Sequence, residues 1–258
     1  MGELNSSKTR VVPVFKKLFA ADPSGASWLP ALIGLGSRAD QVPAPEGPHR
    51  LTPRHAATWG KDELSLPAPK ALLKHLVEIV TPEQVNASGA KGETHTKREA
   101  LARRDTAVLH EAIAHIDAGH LGRKWWVLEG PSCPDATLEM PNAVIVIEGK
   151  RTEATTTSKT TWMQGRSQLI RHMDAAMEQW PKKQVFGLLI VEGNGEADAV
   201  EVPAAWRTMS DVQTSKGVLD SSLPHRTTAE KTLFAKRDLG VTTWQAVCKQ
   251  FGLAWPPG

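Results

Sequence analysis

The sequence predicts an α/β fold: a mixed β-sheet flanked by helices, in the order helix, three strands, helix, strand (α-β-β-β-α-β). Three observations carry this. Two apolar runs, Ala143–Ile147 and Gln184–Val191, are short, rich in branched residues and bounded by turn signals, so they read as buried strands. Longer stretches around them space their apolar residues three and four apart, as helices do. Met140-Pro141-Asn142 marks a tight turn, about which the strand beginning at Pro134 folds back onto the next one.

Taken in order, residues 1–66 form an N-terminal extension. Two short apolar stretches, around Val11–Ala21 and Trp28–Leu35, precede a Pro-rich segment from Val42 to Pro53 that reads as a loop or an extended cover. An α/β core is expected over residues 67–202. It opens with a helix at 68–80, where Leu72, Leu73, Leu76, Val77 and Val80 keep helical spacing. A Gly/Ser/Asn break at 86–92 leads to a longer helix, Thr96–Ala118. Its apolar stripe is Leu101, Val108, Leu109, Ala112, Ile113 and Ile116, with Gly119 as the stop. A short strand at Trp125–Leu128, the strand from Pro134 and the strand Ala143–Ile147 follow. Thr152–Thr161 reads as a polar loop, and the next helix runs from Trp162 to Gln179 before Pro181. After the strand Gln184–Val191, Gly193-Asn194-Gly195 signals a hairpin into Asp198–Val202. Residues 203–258 are expected as a C-terminal helical segment packed on the core. Thr227 with Glu230 caps one short helix, and Thr242 or Thr243 caps another.

Composition excludes several classes of function. The 258 residues are 40% hydrophobic and 23% charged, with a formal net charge of +3, which permits a polyanionic partner without requiring one. Two cysteines, Cys133 and Cys248, exclude a Cys-rich zinc site and fit a reducing, cytoplasmic setting. No apolar run is long enough to cross a membrane. Gly34-Leu35-Gly36 imitates a dinucleotide fingerprint, but Pro30 and the Pro-rich sequence beyond remove the strand–turn–helix context that fingerprint needs. His110 and His115 nearly spell a zinc-protease motif, yet five residues apart they lie about 140° apart around a helix. No phosphate-binding loop ending in Gly-Lys-Ser/Thr is present, which argues against ATP-driven work.

The chemistry gathers where the strand Ala143–Ile147 ends in Glu148-Gly149-Lys150. Burying charge is costly unless it is paired or bound to a metal. Side chains alternate along a strand, so Glu148 and Lys150 share one face. A hairpin about Pro141 brings Asp135 opposite them. Two converging carboxylates make a hard-oxygen site suited to Mg²⁺, with water and phosphate oxygens completing the octahedron. A lysine beside it can orient or deprotonate an attacking water, or stabilise charge in the transition state.

Pro134-Asp135, twelve intervening residues and Glu148-Gly149-Lys150 resemble the signature of the PD-(D/E)XK nuclease superfamily, the restriction-endonuclease-like proteins. The resemblance covers roughly residues 96–192. It implies a Mg²⁺-dependent nuclease, with Mn²⁺ as a substitute, that hydrolyses phosphodiester bonds, DNA first. By the same resemblance Asp135 and Glu148 hold the metal and Lys150 assists the water. A further acid comes from the preceding helix, for which Glu111 is the first candidate and Glu99 the second. Gln168 stands where some members carry a glutamine that contacts the site. His172, four residues on, departs from the tyrosine often found there. Arg151, Lys159, Arg166 and Arg171, interleaved with Ser and Thr, are the candidate phosphate contacts. The implied partner is nucleic acid, with a homodimer as a further expectation. The competing readings are a non-catalytic nucleic-acid-binding protein and a subunit of a larger nuclease assembly. The first would use a helix-turn-helix-like unit around Leu239-Gly240-Val241, with Trp244–Phe251 as its recognition helix.

Overall fold

Alternating apolar side chains give one sheet two buried faces, and the rest of the chain is arranged to cover them. The computed structural model describes residues 6–52, 57–59, 63–153 and 161–257. A π-helical turn, Ser7–Val11, leads into α1 (Val12–Ala21), followed by α2 (Leu29–Gly34) and β1 (Ala57–Trp59). Four helices come next: α3 (Lys70–Ile79), α4 (Pro82–Ala87), α5 (Gly92–Ala102) and α6 (Thr106–Asp117). The hairpin strands β2 (Ala136–Glu139) and β3 (Ala143–Gly149) precede α7 (Gln168–Gln179) and β4 (Gln184–Val191). Then come α8 (Ala204–Gln213), α9 (Lys216–Ser222), α10 (Thr228–Ala235), β5 (Asp238–Thr243) and α11 (Trp244–Gln250). The sheet order is β1-β2-β3-β4-β5, antiparallel from β1 to β3 and parallel from β3 to β5.

Ala143, Ile145 and Ile147 of β3 pack with Val14, Phe15 and Leu18 of α1, Leu29 and Leu32 of α2, and Trp244 and Val247 of α11. Val144 and Val146 face the other way, onto Leu169, Ile170 and Met173 of α7 and the apolar residues of α8 to α10. Each large apolar side chain removed from water contributes about 1.5–3 kcal/mol. The N-terminal extension, together with α11, therefore forms one of the two covering layers. A third cluster joins α3, α5 and α6 through Leu72, Leu76, Leu101, Ala112 and Ile116, together with Trp125, Trp126 and Trp162. Among the described residues no helix is long and apolar enough to cross a membrane.

Several expected elements differ. The helix expected over Thr96–Ala118 is two helices. Arg104 takes a left-handed φ of 64°, and Asp105 caps α6 by accepting from the N–H groups of Ala107 and Val108. Trp125–Leu128 is not a strand. Its apolar side chains fill the helical cluster, and the Trp126 indole donates to the His120 carbonyl. The first strand of the antiparallel trio is thus β1, which precedes helices α3 to α6. The helix expected from Trp162 starts at Gln168, where Ser167 accepts from Ile170 N–H.

The strand expected over Asp198–Val202 after Gly193-Asn194-Gly195 does not form. The neighbour of β4 is β5, which occupies the segment expected to be the turn of a helix-turn-helix unit. Gly187 pairs with Asp238 and Leu189 with Val241, so β5 spends three residues where β4 spends two. Gly240, at φ 81°, occupies that bulge, a backbone state that glycine enters at little cost. Both caps expected in the C-terminal segment form, on Thr227 with Glu230 and on Thr243.

Candidate active site

The β2–β3 register sets Ala136 against Ile147. One step further out, Asp135 reaches the level of Glu148. Its Oδ2 accepts from Gly149 N–H at 2.8 Å, which ties the carboxylate to the end of β3. Glu148 and Lys150 point from β3 toward α7, and both are buried. The Lys150 ammonium lies 2.6 Å from Glu148 Oε1 and donates to Gln168 Oε1 at 2.7 Å. The second carboxylate oxygen, Glu148 Oε2, lies 2.7 Å from His172 Nε2. Gln168 and His172 are four residues apart on α7, so they share the helix face turned to the sheet. His172 Nδ1 is in turn 2.6 Å from Ser132 Oγ, and Ser132 is fixed by two backbone hydrogen bonds with Leu66.

The backbone of Lys150 is anchored as firmly as its side chain. Its N–H donates to the Ile190 carbonyl at 2.8 Å, and its carbonyl accepts from the Trp244 indole at 3.1 Å. Gly149 lies against that indole. A Cβ there would fall 2.8 Å from Trp244 Cζ2 and 3.0 Å from Val11 Cγ2, and the bulk of a ring and a branched side chain cannot both withdraw. Gly149→Ala is expected to cost about 1–3 kcal/mol of stability through overpacking, measurable by urea unfolding.

Electrostatics single out Asp135. Burial, then the neighbouring charge of Glu148, raise its pKa to about 7, against the opposing pull of the Gly149 N–H and of Lys150. Glu148 moves the other way. Burial acts upward on it, but the hydrogen bond and charge of His172 and the Lys150 ammonium outweigh burial and hold it below the ordinary range. Glu63, half-buried ahead of Leu66, is raised by burial and by the charge of Glu148, while the Ser7 hydroxyl donates to its Oε1 at 3.0 Å. Its charge also acts on Asp135.

The acid whose charge acts on both carboxylates is Glu63, whereas the expected Glu111 and Glu99 are engaged in ion pairs of their own. Glu111 forms an ion pair with Lys97 at 2.6 Å, on an α6 that packs against α3 and α5. Glu99 is engaged with His95 and Arg103. Among the basic candidates, Arg166 requires correction. Its guanidinium is fully buried, 2.6 Å from Asp174 and 3.4 Å from Glu129, and donates to the Ser222 carbonyl, so it cannot meet a phosphate. Arg171 is partly exposed, 3.6 Å from Glu129. Arg151 lies beside the site, 3.8 Å from Glu192, a carboxylate that Arg10 grips with two hydrogen bonds. Lys159 lies outside the described residues. Sequence reasoning missed Ser132 and Glu63, and neither stands in a pattern that marks it.

The residues present fit Mg²⁺ better than a softer ion. Among the described residues no three His, Cys, Asp or Glu side chains gather as a metal cage. Mg²⁺ does not need one, because it keeps several waters and takes one or two carboxylates with substrate phosphates. Burial first, and then the charge of Glu148, favour the protonated form of Asp135, and a bound divalent cation would favour its carboxylate. Compared with known family models, with curated proteins and with solved structures, the chain shows no significant match.

Proposed function

We propose that this protein is a Mg²⁺-dependent nuclease of the PD-(D/E)XK type that hydrolyses phosphodiester bonds, DNA first. The observation that carries the reading is the buried Glu148–Lys150 pair, with Asp135 at the same strand end and Gln168 on the ammonium. The restriction-endonuclease-like architecture belongs to the proposal. An antiparallel β1–β2–β3 unit followed by a helical crossover to parallel β4 supports it. The non-catalytic alternative loses its recognition motif, since residues 238–243 are a sheet strand.

Asp135 and Glu148 would hold the cation. When bound, Mg²⁺ supplies an acidified water and positive charge at the phosphoryl oxygens. Lys150 supplies the remaining protein chemistry. Its Nζ, fixed between Glu148 and Gln168, orients the attacking water and places positive charge where the transition state becomes negative. Gln168 offers its carbonyl oxygen to that ammonium and so fixes where it points. Phosphate contacts fall to Arg151, Arg171 and Lys159.

Asp135→Asn keeps the size of the side chain and removes its charge. Mn²⁺ affinity and plasmid cleavage are expected to fall together, cleavage by at least about 100-fold, the upper end of what even outer-shell partners of a metal cost. The assay is a cleavage time course on plasmid and single-stranded DNA, in Mg²⁺ and in EDTA. Undiminished cleavage in EDTA, or none with either Mg²⁺ or Mn²⁺, overturns the reading.

A further inference from the structure

We propose that His172, itself held by Ser132, is a positioning residue for Glu148 and sets the affinity of the site for its divalent cation. This rests on the nuclease reading only in taking Glu148 as a metal ligand. The hydrogen-bonded chain Ser132 Oγ, His172 Nδ1, His172 Nε2 and Glu148 Oε2 spans 2.6 Å and 2.7 Å steps, and its three residues are each 5% exposed or less. His172 Nε2 pairs with the carboxylate and Nδ1 with the Ser132 hydroxyl, so every polar atom along the chain has a partner.

The arrangement answers a problem created by Lys150. A glutamate with only an ammonium beside it turns its carboxylate toward that ammonium and closes into an ion pair. Here the opposite oxygen is held from α7. Two opposed donors fix the carboxylate plane, while each oxygen keeps a second lone pair for a cation. Outer-shell groups of this kind orient the ligands of a metal and tune its affinity. Ser132 fixes the imidazole in turn, through a backbone tied on both sides to Leu66.

Serine, histidine and glutamate in one chain also suggest a nucleophilic triad. Ser132 is 5% exposed, which closes its hydroxyl to an acyl substrate. The chain therefore works inward on Glu148.

The test is Mn²⁺ affinity measured by electron paramagnetic resonance on wild type, His172→Phe, His172→Gln and Ser132→Ala, each checked for folding by circular dichroism. His172→Phe fills the space without an N–H and is expected to weaken Mn²⁺ binding about 10–100-fold. His172→Gln carries an amide N–H near the position of Nε2 and is expected to restore most of that loss. Ser132→Ala should fall between wild type and His172→Phe. A folded His172→Phe with wild-type affinity overturns the proposal and leaves the nuclease reading intact. So does His172→Gln as weak as His172→Phe, because the role is then packing alone. Should His172→Phe fail to fold, Ser132→Ala decides, and unchanged affinity there overturns the proposal. Wild-type protein that binds no Mn²⁺ removes the proposal together with the metal reading.

Discussion

Lys150→Ala is expected to bind Mn²⁺ at least as tightly as the wild type and to cleave DNA about 10²–10⁴-fold more slowly. The two outcomes separate because the ammonium competes with any cation for Glu148 Oε1, at 2.6 Å, yet is no metal ligand itself. Removing it would relieve repulsion of a bound metal and delete the group proposed to act on the attacking water. Glu148 stays oriented, because His172 still holds its other oxygen. DNA affinity should change far less, since it comes from many phosphate contacts. Calorimetric Mn²⁺ titration beside a plasmid-cleavage time course checks both halves. Lys150→Met, which fills the buried space, guards against a loss of packing. Cleavage at the wild-type rate would reduce Lys150 to a strand-end charge.

Asp174→Ala is expected to lose about 3–5 kcal/mol of stability, the usual cost of stranding buried charge. The Asp174 carboxylate is fully buried and receives Arg166 at 2.6 Å, Arg226 at 2.8 Å and His225 at 3.1 Å. Two guanidiniums lose their nearest carboxylate at once when it goes, and keep only Glu129 at 3.4 Å from Arg166 and Glu230 at 3.2 Å from Arg226. Burial acts to raise the pKa of Asp174, but Arg166, His225 and Arg226 together outweigh it and hold the group well below the ordinary carboxylate range. An unfolded aspartate titrates near about 3.9. Stabilisation from the depressed pKa is therefore complete above about pH 5 and is lost as the pH falls through 4 toward the folded value. Urea unfolding from pH 7 down to about 3 should show this decline, and Asp174→Asn should be both less stable and flatter across that range. An unchanged acid limb in Asp174→Asn would remove Asp174 as its source.

Asp135, Glu148, Lys150 and Gln168 were legible because their relations are local. Alternation puts two of them on one strand face, a tight turn brings the third alongside, and α7, the next element in the chain, delivers the fourth. Glu63 and Ser132 were not legible. Ser132 is placed by its bridge to Leu66, and Glu63 comes from the segment that enters that bridge. Such pairing across distant segments leaves no periodicity in either one. Arg166 misled because proximity in sequence to the motif suggested a phosphate contact. Its partners, Asp174 and Glu129, lie on either side in sequence and close over it. β5 was hidden for another reason. All six of its residues are buried, so no alternation shows, and its bulged glycine looks like a turn. Trp125–Leu128 failed in the opposite direction, since a short apolar run serves as well to fill a helical cluster as to form a strand.

The indole of Trp244 beneath Gly149 gives the molecule an order of completion. Asp135, Glu148, Lys150, Gln168 and His172 have all left the ribosome while β5 and α11 are still unmade. At about 5–20 residues per second, the nascent chain spends seconds with every reactive side chain present and the brace under Lys150 missing. Pairing β5 in parallel to β4 across three intervening helices is itself a slow, non-local step. Under the proposed activity, the cutting centre is complete only once α11 has been made and docked. A chain interrupted before Trp244 would carry the whole signature and remain inert toward nucleic acid.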